Sequence, residues 1–290
     1  MPNHVTSIVT VTGSPEEVAR FVETHIVPPK DEQGDAKDPN DRWFDFNTVI
    51  PQPAILKETT SGGHVDIGMF ALYGYIDKSK DWLNQFFPNR DSTVPYERWP
   101  FLPKTVDTRE KLLEHLRQNN PQALREAEAS KRCLDETGHI SWYEWCIENW
   151  GTKWGAYDYE ERERGEGSFT FKFETAWSFP EPIFRKLEQV YPDLVFDVAA
   201  YDEGSNFGCR GQFNGRRDYR CDKSLATEEL YERVYGYPIE KYDDEDEDED
   251  LNEDEDEDDI EDEQYIEEHN ATDEDDEDLE EDELNDGLDS

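Results

Sequence analysis

Between Asp243 and Ser290, 32 of 48 residues are Asp or Glu and none is Lys or Arg. A segment of that kind has no means of folding alone. Its apolar residues (Leu251, Ile260, Tyr265, Ile266, Leu279, Leu284 and Leu288) are too few to offset the entropy of ordering it, and its like charges repel. The expected division is therefore a structured body over residues 1–241 and a disordered acidic tail over residues 242–290. Extended at about 3.4 Å per residue, the tail carries about one charge per 5 Å. Wound as a helix at about 1.5 Å per residue, it would approach one per ~2.3 Å, near the ~1.7 Å of duplex DNA. A basic partner that screened the charges would condense it in that direction. The run Asp243, Asp244, Glu245, Asp246, Glu247, Asp248, Glu249 and Asp250, with Glu253 and Asp254, is the expected partner-binding segment. Its association would be fast, steered at long range and salt-sensitive. Solubilising the chain and shielding a basic groove of its own are the competing uses of such a tail. No D-x-D-x-D-G spacing marks a calcium loop.

The whole chain of 290 residues carries 74 acidic and 29 basic residues, for a formal charge of -45. With 32 acids in the tail, the body keeps 42 against the same 29 bases, near −13. Its sign works against direct nucleic-acid binding, which needs a basic field, above all with the tail present. Eight Trp, fourteen Tyr and fifteen Phe can supply its core. Cys133, Cys146, Cys209 and Cys221 form no CxxC pair, and the opening residues lack the basic and apolar regions of a signal peptide. Free thiols in a reducing bacterial cytoplasm are the expectation. No apolar run approaches the ~18 residues of a membrane span, so no membrane partner is expected. No cofactor is expected either. Cys133, His139 and Cys146 are too widely spaced for an ordinary zinc pair, as are Cys209 and Cys221, and no local motif marks a catalytic nucleophile.

Hydrophobic periodicity lays out an α+β body. Val5–Thr12 alternates as a strand, and Gly13 ends it. Ser14-Pro15-Glu16-Glu17 then caps a helix that buries Val18, Phe21, Val22 and His25 or Ile26. A second strand is expected over Phe44–Ile50, and short helices and loops over residues 59–106. Helical spacing runs from Asp107 to Trp150. Strands return at Trp154–Tyr159, followed by a charged hairpin from Glu160 to Gly167, and at Ser168–Thr175, where Phe169, Phe171 and Phe173 share a face. A helix over Pro182–Tyr191 and strands over Leu194–Tyr201 and Asn206–Tyr219 complete the body. With residues 59–149 taken as a mostly helical insertion, the order is that of a ferredoxin-like antiparallel sheet with helices on one face.

Certain residues carry a resemblance to a known family. Met1-Pro2-Asn3 leads into a Val/Thr strand; Asn149, Trp150, Gly151, Thr152, Lys153 and Trp154 follow later, then Thr175-Ala176-Trp177-Ser178-Phe179-Pro180 and Tyr191-Pro192. Together these resemble the YubB-type ferredoxin-like proteins of plasmids and bacteriophages. The resemblance spans most of residues 1–215, with Asn149–Trp154 its most specific part and residues 55–135 matched loosely. It implies a mobile-element protein with a ferredoxin-like core, and it implies no reaction or catalytic residue.

Two surface candidates remain. Trp142, Trp145, Trp150 and Trp154 would either stack on bases or anchor a partner, or else pack structurally, and helical spacing favours packing for the first two. Arg210, Arg216, Arg217 and Arg220, with Lys223, form a basic patch that would grip phosphate, meet the tail or sit as a solvated strand end. The leading expectation is a non-enzymatic interaction protein of a phage or plasmid. Its partner would be a basic, nucleic-acid-handling host protein, such as a defence component. The alternatives are an enzyme acting on nucleotides or nucleic acid in a cleft between sheet and insertion, and a nucleic-acid-binding module inhibited by its own tail.

Overall fold

Alternation in the first strand decides how the body is layered. The computed structural model describes residues 3–29, 38, 41–76 and 89–239. The chain divides into two units, Met1–Glu240 and Lys241–Ser290. The run Asp243–Asp254, expected from the sequence to bind a partner, lies outside the described residues, as does part of the loop after Pro29.

Strand β1 (His4–Thr12) runs through the middle of an antiparallel sheet. Helix α1 (Pro15–His25) follows, with the Ser14 side chain accepting from the Glu17 amide and Pro15 in the first turn. A two-residue pair, β2 (Ile26–Val27) and β3 (Trp43–Phe44), leads to helices α2 (Gly63–Tyr73), α3 (Pro95–Arg98), α4 (Arg109–Asn119), α5 (Pro121–Thr137) and α6 (Trp142–Asn149). Then come β4 (Tyr157–Gly165), β5 (Ser168–Ala176), α7 (Glu181–Val190), β6 (Val195–Asp202), β7 (Gly208–Phe213), β8 (Arg220–Asp222) and α8 (Glu228–Tyr235). The architecture is α+β, and the six-stranded sheet has the order β4-β5-β1-β6-β7-β8.

One face of the sheet is dry. Register sets Val9 beside Phe171 and Val198, and Val11 beside Phe169 and Phe196, while Phe196 pairs with Phe213. Phe169, Phe171 and Phe173 are fully buried. Phe21 of α1 and Phe184 of α7 pack onto this ladder, together with Phe44. The helical insertion has a second core around Ile67, Phe70, Leu112, Leu116 and Ala123. There Gly68 lets α2 approach the α5 backbone so closely that a Cβ would collide with the Ala123 carbonyl.

Four expectations are corrected. Of the Phe44–Ile50 segment only Phe44 is strand, at the end of Trp43–Phe44; Asp45 accepts from the Asn47 amide and turns Phe46–Thr48 into a short 3-10 helix, burying Phe46. The strand expected at Trp154–Tyr159 runs instead from Tyr157 to Gly165, so the charged residues Glu160–Gly165 are one arm of the β4–β5 hairpin. It forms the sheet edge, where Arg162–Glu160 and Arg164–Glu161 pairs stay exposed and charge discourages pairing with another chain. The last strand stops at Phe213, because Asn214 at φ 58° reverses the chain into β8, and α8 follows where no helix was expected. The same reversal sets Cys209 opposite Cys221, and the two form a disulfide rather than free thiols. Cys133 and Cys146 are free and buried. Among the described residues no helix is long and apolar enough to cross a membrane.

Two predictions follow from this core. Phe171→Ala should cost about 3–5 kcal/mol in urea unfolding, whereas Thr170→Ala on the opposite face should cost roughly 1 kcal/mol. His25, 2 % exposed, bonds Thr48 at 2.7 Å and the Tyr191 hydroxyl at 2.9 Å, and burial first, then Arg20, lowers its pKa from 6.5 to about 4. Between those pH values the unfolded chain binds the proton and the folded chain refuses it. This contribution is complete above pH 6.5 and is lost as pH falls towards 4, by up to about 3 kcal/mol. Unfolding of the wild type and His25→Gln across that range should show a steeper loss of stability in the wild type.

Candidate functional site

β1 begins where β5 and β6 end, because His4 registers with Ala176 and Val5 with Asp202. Since Val5 points into the core, strand alternation turns His4 and Thr6 to the other face. On β5, Glu174 sits between buried Phe173 and Thr175 and turns outward beside Thr6. Helix α8 lies over this second face. It buries Leu230 and Val234 against Ala199 and Tyr201, and packs Tyr231 and Tyr235 along the same contact. Tyr231 and Tyr235 stand one helical turn apart and reach the strand ends. His4, Thr6, Glu174, Glu203, Tyr231 and Tyr235 line a pocket of about 390 Å³.

The pocket is held by a chain of polar contacts. The Thr6 hydroxyl donates to Glu174 Oε1 at 3.3 Å and lies 3.2 Å from the Tyr235 hydroxyl. His4 Nδ1 lies 2.8 Å from the Tyr157 hydroxyl and 3.3 Å from Glu174 Oε2. The His4 amide donates to Glu203 Oε1 at 2.7 Å, and the Glu203 amide donates back to the His4 carbonyl at 2.9 Å. Burial, reinforced by the charge of Glu174, pushes the Tyr157 phenol far above its usual range. Burial also raises Tyr235, and its hydrogen bond with Tyr237 pushes Tyr231 up to about 12. The phenols therefore stay protonated. The site offers two carboxylates, hydroxyl groups and aromatic faces, a chemistry that suits a cation or a hydrogen-bond donor. Among the described residues, no three of His, Cys, Asp or Glu are grouped to hold a metal ion.

Residues singled out in the sequence fall elsewhere. Asn149 closes α6, its amide donating to the Trp145 carbonyl at 3.0 Å. Trp150 is buried, with its indole donating to Ile50 O at 3.0 Å. Gly151, at φ 77°, has Pro182 where a Cβ would stand, and buried Thr152 donates to the Trp154 carbonyl. All four make contacts within the body. Lys153 Nζ lies 4.6 Å from the Trp154 ring and 4.9 Å from that of Trp177, which is 42% exposed at φ 71°. Trp43, Trp150, Trp154 and Tyr157 line a second cavity of about 390 Å³, and the Tyr157 hydroxyl bonds His4 of the first pocket. The basic patch is divided. Arg217 pairs with Asp197, which also takes Arg233 at 2.5 Å, and Arg220 pairs with Asp222 at 3.2 Å, while Arg210 and Arg216 are exposed. Cys146 is pushed up to about 12 by burial, which removes it as a nucleophile at neutral pH.

No sequence motif marked His4, Glu174, Glu203, Tyr231 or Tyr235. The available signal was the outward phase of two alternating strands and the Thr227-Glu228-Glu229 helix start before Leu230 and Val234.

No family model matches the chain, and no curated protein matches it. The crystal structure of protein api92 from Yersinia pseudotuberculosis, of family-model DUF1281, is similar over 77% of this chain and 95% of that one. Identity is 10% and the TM-score 0.30, a likeness that carries no functional reading.

The disulfide closes a short loop between β7 and β8, just before the helix that walls the pocket. Cys221→Ser should lower stability by about 2–3 kcal/mol. Hydrogen exchange should then rise first in residues 220–237, ahead of β1 and β5.

Proposed function

We propose that this chain is a non-enzymatic interaction protein of a mobile genetic element, which binds a basic, nucleic-acid-handling host protein and blocks its groove. The observation that carries the reading is the charge: 32 acids in the last 48 residues, on a body that is itself acidic. The pocket adds Glu174 and Glu203 to one end of the sheet, so the body presents anionic chemistry of its own. We infer further that the body is a ferredoxin-like domain of the YubB type, carrying a helical insertion. What supports this is the antiparallel order β4-β5-β1-β6, with α1 after β1 and α7 after β5, which is the pairing that a split β-α-β arrangement requires.

An enzyme would also need a pocket with converging polar groups, and one is present. The groups in it with shifted acidities are the Tyr231 and Tyr235 phenols, moved away from neutral pH, which leaves them poor general acids or bases there. A nucleic-acid-binding module has less support, because two of the four patch arginines are engaged by Asp197 and Asp222.

Capture from bacterial lysate at about 0.1 M and ~0.5 M salt, with mass spectrometry of the retained proteins, tests the reading. Basic nucleic-acid-binding proteins should be retained at the lower salt and released at the higher. Retention of the same proteins by a chain lacking residues 243–290 would remove the tail from the mechanism. Retention with no bias towards basic proteins would overturn it altogether.

A further inference from the structure

The pocket at the end of the sheet combines two carboxylates with closely packed, tilted phenol rings. The Tyr231 and Tyr235 rings are 4.4 Å apart, with Tyr237 at 5.8 and 5.9 Å from them. Glu174 and Glu203 share the lining of the same cavity, each held by a hydrogen bond to β1. The chain already uses one of these rings for a cation: Lys172 Nζ, two residues before Glu174 on β5, lies 5.4 Å from the Tyr235 ring centre. An ammonium or guanidinium entering the pocket would meet carboxylate charge and the negative face of a π system together.

We propose that this pocket is a receptor for one cationic side chain, lysine or arginine, presented by the basic partner. It rests on the partner reading given above and makes it specific, assigning one anchoring residue to the folded body while the tail supplies diffuse attraction. Lys172 is then an internal competitor, and its position sets a predicted gain of function. Removing its charge leaves the two carboxylates intact and takes a like charge away from the incoming cation.

The test uses the full-length protein with 13C-labelled tyrosine rings, titrated with Nα-acetyl-lysine methylamide, the arginine equivalent and the neutral glutamine equivalent at about 0.15 M salt. Both cations should shift Tyr231 and Tyr235 saturably, and the glutamine compound should not. Glu203→Gln, at an exposed strand end, should weaken binding about tenfold. Lys172→Gln should tighten it several-fold, an effect that a folding defect does not imitate. Shifts confined to Tyr242 and Tyr265 of the tail would overturn the proposal. So would equal shifts from the glutamine compound, or dissociation constants that neither substitution moves beyond about twofold. The two readings fail separately. Saturable binding here without basic proteins in the lysate capture leaves the receptor standing and removes the partner. Capture with an inert pocket leaves the partner to the tail and removes the receptor.

Discussion

The contact between the phenylalanine ladder of β5 and the helices above it is the constraint on which the rest of the body depends. Phe169, Phe171 and Phe173 can be buried together only if β5 keeps strict alternation, and only if β1 supplies Val9 and Val11 at matching positions. That register fixes β6 on the far side of β1, and through Phe196 and Phe213 it fixes β7. Aromatic side chains bring large buried areas and preferred tilted or edge-on contacts, so the ladder selects both the helix positions and the strand order. Phe21, Phe44 and Phe184 meet it from three separate segments of the chain.

The second face of the sheet follows from the first. The residues that alternation removes from the core lie on the opposite face, which α8 covers over β1 and β6, and at one end these residues are polar. Thr6, Glu174 and His4 are placed by the same register that buries Val5 and Phe173. The pocket is thus a by-product of the core's geometry, closed by a helix whose apolar side packs on Ala199 and Tyr201. The Cys209–Cys221 link holds the strand from which that helix departs. A site built on strand ends and one helix is more rigid than one carried by loops.

Much of the fold was legible in local patterns. The Val5–Thr12 alternation, the Ser14-Pro15 helix start, the Phe169–Phe173 stripe and the helices between Asp107 and Trp150 each carry their period and their caps within a short window. Misreadings occurred where a single polar residue outweighed the period. Asp45 turned an apparent strand into a 3-10 helix, and Asn214 ended β7 early. The expected strand stopped at Tyr159, before the charged run Glu160–Gly165, because nothing in the composition of that run reveals that it lies at a sheet edge, where charge is compatible with strand. The disulfide was invisible for a related reason: two cysteines twelve residues apart pair only if the chain between them reverses.

By itself the sequence determined the charge of this protein, the division between a polyanionic tail and an aromatic body, and the α+β class of that body. Charge and hydrophobic period are additive along a chain, so they can be counted without knowing what meets what. Only the tertiary structure decided that His4 and Glu203, 199 residues apart, share a hydrogen bond. The same holds for Tyr231 and Tyr235 closing a pocket over Glu174, and for Arg217 being engaged by Asp197. Those pairings depend on strand register and on a helix crossing, and neither is written in any window of the sequence short enough to read locally.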